Sequence, residues 1–93
     1  MATLHIRHAI TDFDVWVAAF NRFADARRNA GVRGQRVQRP VDDPAYVVID
    51  LDFDTAEAAE SFRHFLQTQV WVPGVTPALV GTPETMILEP AGV

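Results

Sequence analysis

The amino-acid sequence predicts an α+β fold in which four strands and two helices follow one another as β-α-β-β-α-β. Three observations carry this. Ala45–Asp54 (AYVVIDLDFD) is the one uninterrupted run of strand character; read with a period of two, it places Val47, Ile49, Leu51 and Phe53 on one face and Tyr46, Val48, Asp50 and Asp52 on the other. A segment with apolar residues at helical spacing lies on either side of that run. Further strand-like runs stand before the first helix, between the first helix and the central run, and after the second helix. The fully apolar face of the central strand must meet a core. Its mixed face is too apolar for open water and too acidic for a plain core, so something other than the chain's own helices must cover it.

Thr3–Ile10 reads as the first strand, with Leu4, Ile6 and Ile10 on one face, joined by His8 as the polar exception. Thr3, His5, Arg7 and Ala9 share the other. The first helix then starts with Thr11 as N-cap, Asp14 in capping-box position and Ile10 as a staple onto Val15. Phe13, Trp16, Val17, Phe20 and Ala24 form its apolar stripe, and the helix is expected to run on to Arg27 and Arg28 and end at Gly31, a natural C′ residue. Val32–Arg39 (VRGQRVQR), with an internal glycine, suits an edge strand. Pro40–Pro44 (PVDDP) is a turn.

Asp54 as N-cap and Glu57 three residues on open the second helix, whose buried stripe is Ala58, Ala59, Phe62, Phe65 and Leu66. Val70–Pro83 (VWVPGVTPALVGTP) is expected to be a loop, but one too rich in valine, leucine and tryptophan to be a solvated linker. Glu84–Glu89 is the last strand. With right-handed crossovers this order is the split-βαβ, ferredoxin-like arrangement: a four-stranded antiparallel sheet with both helices on one face, the first and third strands central and the second and fourth at the edges.

At 93 residues the chain is expected to be a single domain over 1–93, and a 48% apolar composition supports a core. The net charge of −4 argues against nucleic acid, which calls for a basic footprint. Cysteine is absent, which excludes disulfides, thiolate nucleophiles and Cys-ligated metals and fits a reducing compartment. No run approaches the roughly 20 apolar residues of a membrane span, so a cytoplasmic protein without membrane contact is expected.

The Asp12, Trp16, Phe20 spacing, the Ala30-Gly31-Val32-Arg33-Gly34 turn, the Asp42-Asp43-Pro44 hairpin and the Phe53-Asp54-Thr55…Ala58 start of the second helix resemble the small dimeric α+β-barrel proteins, among them antibiotic-biosynthesis monooxygenase-like and polyketide-cyclase-like members. The resemblance covers nearly the whole chain and rests on packing and turn residues. It implies a dimeric α/β barrel, a homodimer whose two sheets pack face to face, with a pocket in each subunit between sheet and loops.

On the mixed sheet face His5 and Arg7 fall beside Tyr46, Val48, Asp50 and Asp52. Such a cluster is a candidate to bind an oxygen-rich ligand, with His5 or Asp50 as an acid–base group and Arg7, Tyr46, Val48 and Asp52 as contacts; equally, it pairs charges across a dimer interface. Trp71, in the Pro/Gly loop, either lines the pocket or covers the partner. Trp16 and Phe20 read as core, and Arg27, Arg28, Arg33, Arg36 and Arg39 as a solvated series. No metal site is expected, because alternation puts His8 opposite His5 and His64 lies on a helix. The Asn–Trp–His set of haem-degrading relatives is missing, since Asn21 and Asn29 are helical. Without a glycine-rich phosphate loop or a nucleophile elbow around Ser61, the expectation is a protein that needs no cofactor. Two functions follow: a cofactor-independent monooxygenase-like or cyclase-like enzyme acting on a small apolar, aromatic, oxygenated molecule, or a non-catalytic homodimeric ligand-binding or interaction module.

Overall fold

The computed structural model describes residues 1–93. Strand β1 (Ala2–Ile10) leads into helices α1 (Phe13–Arg22) and α2 (Ala24–Asn29), then β2 (Gly34–Gln38), β3 (Tyr46–Phe53), helix α3 (Ala56–Phe65) with a π-helical turn at Leu66–Val70, and β4 (Leu79–Leu88). The sheet order is β2-β3-β1-β4 and every pairing is antiparallel, so the first and third strands are central as the sequence predicts. Leu4, Ile6 and His8 stand opposite Leu51, Ile49 and Val47 across β1 and β3, and Thr3, His5 and Arg7 stand opposite Asp52, Asp50 and Val48. Period-two alternation turns the first set toward the helices and the second away from them. Leu4, Val47, Leu51 and Phe53 are completely enclosed there, packed with Trp16, Ala59 and Phe62 from the helices. No helix is long and apolar enough to cross a membrane.

Several details depart from expectation. The first helix is capped by Asp12 rather than Thr11: its carboxylate accepts from the Val15 N–H at 3.0 Å. The second is capped by Thr55 rather than Asp54, with the hydroxyl accepting from the Ala58 N–H at 3.1 Å. Asp54 instead takes a two-pronged bond from Arg33, which fastens the start of β2 to the end of β3. The first helix is not continuous. It breaks at Phe23, and α2 is closed off just beyond its C-cap Ala30 by Gly31 (φ +93°), where the Gly31 and Val32 N–H groups bond back to the Arg28 and Arg27 carbonyls in a Schellman closure.

β4 also begins five residues earlier than Glu84. Leu79 and Val80 pair with Ile10 and Ala9, and a bulge then re-aligns the strand at Glu84 opposite Arg7. Gly81 (φ +71°) and Pro83 sit in that bulge, where an edge strand accepts residues a central one excludes.

Candidate functional site

The outer face of the sheet, away from the helices, holds the cluster singled out from the sequence. His5 Nδ1–H donates to Asp50 Oδ1 at 2.8 Å, directly across β1 and β3. Asp52 accepts from the Thr3 hydroxyl at 2.9 Å and from both Arg36 Nη atoms at 2.9 and 3.2 Å. Those bonds hold its carboxyl below the ordinary range, the Arg36 bond first and the Thr3 bond second. Arg7 pairs with Glu84 across β1 and β4. Each carboxylate here has a hydrogen-bonding partner within the sheet. Tyr46 and Val48 lie half-buried between them, and Met86 and Leu88 on β4 remain 46% and 43% exposed.

On the inner face, α1, α2, α3 and the π turn do not close completely on the sheet. They leave a cleft of about 510 Å³ counted to its open mouth, within which about 60 Å³ is free to water-sized groups. Ile6, His8, Ile49 and Leu51 form its floor; Trp16, Phe20 and Phe23 one wall; and Phe62, Leu66 and Val70 the other. The π turn helps to build it. Leu66 and Val70, four residues apart within it, are both buried. Trp71 and Thr76, both half-exposed, complete the lining. The Thr76 hydroxyl donates to the Val70 carbonyl at 2.8 Å and so ties the 71–78 segment to the end of the helix.

Two polar side chains interrupt this apolar lining. His8 is 5% exposed. Its Nδ1–H donates to the Ala9 carbonyl at 3.1 Å, which leaves the lone pair of the neutral ring on Nε2. Burial depresses its pKa, the Ala9 bond opposing only in part, so the ring is held neutral. Arg27 is 7% exposed. Its Nη1 donates to the Phe20 carbonyl at 2.6 Å and its Nε to Gln35 Oε1 at 3.1 Å, while the guanidinium lies 3.6 Å over the Phe20 ring. Desolvation pushes its pKa down as well. Neither His8 Nε2 nor Arg27 Nη2 has a partner in the protein, and neither is sealed off, because every fully enclosed side-chain N or O atom in the chain has one. The site therefore offers a neutral base and a fixed cation in aromatic surroundings.

Of the residues singled out from the sequence, the structure brings His5, Arg7, Tyr46, Val48, Asp50 and Asp52 together on the outer face and sets Trp71 apart, at the inner cleft. Arg27 does not belong to the solvated series to which its neighbours suggested it belonged. The break at Phe23 and the Phe20 carbonyl draw it inward. Two signals for the inner site were available: Trp71, offered as a pocket-lining residue, and His8, a histidine in phase with Leu4, Ile6 and Ile10.

No protein-family model and no curated protein matches the sequence. The fold, by contrast, recurs among solved structures over almost the whole chain. A candidate antibiotic biosynthesis monooxygenase from Nitrosomonas europaea superposes with a TM-score of 0.71 at 14% identity, over 98% of this chain and 99% of the other. Another antibiotic biosynthesis monooxygenase gives 0.70 at 11% identity, over 97% and 98%. An uncharacterised NIPSNAP domain protein from Burkholderia xenovorans gives 0.61 at 20%, over 99% and 96%. At such identities the likeness is one of fold: a ferredoxin-like α+β chain.

Proposed function

We propose that this chain is a homodimeric, cofactor-independent enzyme of the monooxygenase-like or cyclase-like kind, taking a small aromatic, oxygenated molecule into the inner cleft. The observation that supports it is His8, a buried neutral base with an unpartnered ring nitrogen, in the lining of an aromatic-walled cleft. Proton abstraction by a positioned neutral base contributes about 10²–10⁴ in rate and works best when the base stays unprotonated at the working pH. In the proposed step His8 Nε2 takes a proton from an activated C–H or O–H of the substrate, and the resulting anion is delocalised onto the substrate's own oxygen. For an oxygenation, a methylene and O₂ then give a carbonyl and water; for a cyclisation, the carbanion attacks a carbonyl of the same molecule. The free 60 Å³ holds a few waters but not an aromatic ring, given that a 150 Å³ cavity is what benzene fills. The lining must therefore give way to admit a ring.

The outer face serves the dimer in this scheme. Tyr46, Val48, Met86 and Leu88 form an apolar patch with nothing of the chain to cover it. Two-fold symmetry lets that patch complement itself over the ~1,600 Å² of a standard interface. The His5–Asp50 and Arg36–Asp52 pairs then fix orientation more than affinity. Sedimentation at micromolar concentration should give twice the 10.3 kDa chain mass, and Val48→Asp should halve it. Turnover is checked with a phenolic anthrone, by oxygen uptake and anthraquinone absorbance. His8→Asn, whose Nδ2 stands where Nδ1 did and keeps a donor for the Ala9 carbonyl, should lower the rate about a hundredfold or more. Tight binding without turnover would instead make the protein a ligand-binding module.

A further inference from the structure

Eight arginines supply all the fixed positive charge of this chain, and they are not treated alike. Arg7, Arg28, Arg33, Arg36 and Arg63 each meet a carboxylate within 2.9 Å, and all of them retain access to water. Arg27 is the buried one, and no carboxylate lies within ion-pair distance of it. A guanidinium stays protonated under any ordinary condition and carries five N–H donors. Two of these donate to neutral oxygens, those of the Phe20 carbonyl and the Gln35 amide, and one ring face lies beneath it. Neutral partners satisfy hydrogen-bonding geometry but leave the charge itself uncompensated in a low-dielectric site, where an unpaired ion is costly. If capping the carbonyl at the helix break were the whole purpose, a neutral donor would serve without that cost. Nη2 remains open, and the side chain borders the aromatic cleft.

We propose that the occupant of the inner cleft is an aromatic anion, a ring bearing an ionised carboxyl, phenol or enol oxygen, bound with its charge on Arg27 and its ring among Trp16, Phe20 and Trp71. This rests on the cleft being a small-molecule site, as proposed above, and names the class of molecule it selects. The apolar lining favours a ring of either charge state; Arg27 decides between them. His8 adds no competing charge while it is neutral, so the selection persists at mildly alkaline pH.

The experiment compares benzoate with its neutral isostere benzamide by calorimetry on the wild-type protein at pH 8. In parallel, 4-nitrophenol is titrated, its ionisation being visible by colour in the bound state. Benzoate should bind about ten- to a hundredfold more tightly than benzamide, the range expected of hydrogen bonds to a charged group. Bound 4-nitrophenol should ionise at a lower pH than free. A preference seen with only one of the two acids assigns the charged head to carboxylates or to phenols. Arg27→Met should erase the preference and Arg27→Lys restore part of it. Because Arg27 also braces the helix break, the wild-type comparison stands even where the methionine variant does not fold. Equal binding of benzoate and benzamide with an unshifted nitrophenol overturns the anion selection and leaves the cleft intact. Failure of every probe to bind overturns both.

Discussion

The two faces of one four-stranded sheet treat polar groups in opposite ways. Outside, Asp50, Asp52 and Glu84 each meet a basic partner at 2.8–3.0 Å. The carboxylates there are bonded within the sheet, and Met86 and Leu88 leave the face partly apolar. Inside, two polar side chains sit among aromatic rings with neutral partners only, and each keeps an atom available. Charge clustering and chemical readiness are therefore different things. A dense set of charges that satisfy one another is a structural feature, whereas a base and a cation held without counter-charges are what a ligand can complete.

The sharpest way to separate the faces is to truncate each. Phe62 is buried on α3 against Phe53 and Phe65, with ring centroids 5.9 and 5.7 Å away. Phe62→Ala should cost about 3–5 kcal/mol in urea unfolding. Val48→Asp, on the other face, should leave urea unfolding of the separated chain nearly unchanged while abolishing association. If Val48→Asp unfolds the chain as thoroughly as Phe62→Ala, the outer face belongs to the core and the contrast fails.

The next effect in size tests where α3 begins. Thr55→Ala removes the hydroxyl that accepts from the Ala58 N–H and should cost about 1 kcal/mol. Asp54→Ala removes only a solvent-exposed pair with Arg33 and should cost less. The reverse ranking, read from paired chemical denaturation curves, would return the cap to Asp54 as the capping-box pattern suggested.

Much of this was legible in the sequence. Alternation in Ala45–Asp54 and Thr3–Ile10 gave the inner and outer faces residue by residue, and the β-α-β-β-α-β order gave the strand neighbours, because both follow from local periodicity and connection rules. The caps slipped by one residue because Thr11 and Asp12, and Asp54 and Thr55, are adjacent good caps whose choice depends on backbone angles. The first half of β4 was hidden because Gly81 and Pro83 signal a loop unless the strand is known to be an edge with a bulge. Arg27 was hidden for a deeper reason. Arginine in a last helical turn next to Arg28 is ordinarily solvated, and only the break at Phe23, a tertiary outcome, turns it toward the Phe20 carbonyl.

The smallest effect concerns pH and isolates the inner face. His8 has a folded pKa below its unfolded value of 6.5, chiefly because burial disfavours the charged ring. Between those two values the unfolded chain binds a proton that the folded chain does not, so stability falls as pH drops below 6.5 and is unaffected above it. However low the folded value lies, one such group removes no more than about 0.8 kcal/mol at pH 6, the amount set by the unfolded titration alone. Asp52 on the outer face has a depressed pKa for the opposite reason, its bonds to Arg36 and Thr3, and its contribution is lost only below its unfolded value of 3.8. The faces thus titrate in separate windows. His8→Phe should flatten the change between pH 7 and 5.5 and leave the loss below pH 4, whereas Arg36→Met should lessen the acid loss, to which Asp54 with Arg33 also contributes, and leave the first. A wild-type stability that is level from pH 7 to 5.5 would mean that His8 is not held neutral, and with it the base assigned to the cleft would go.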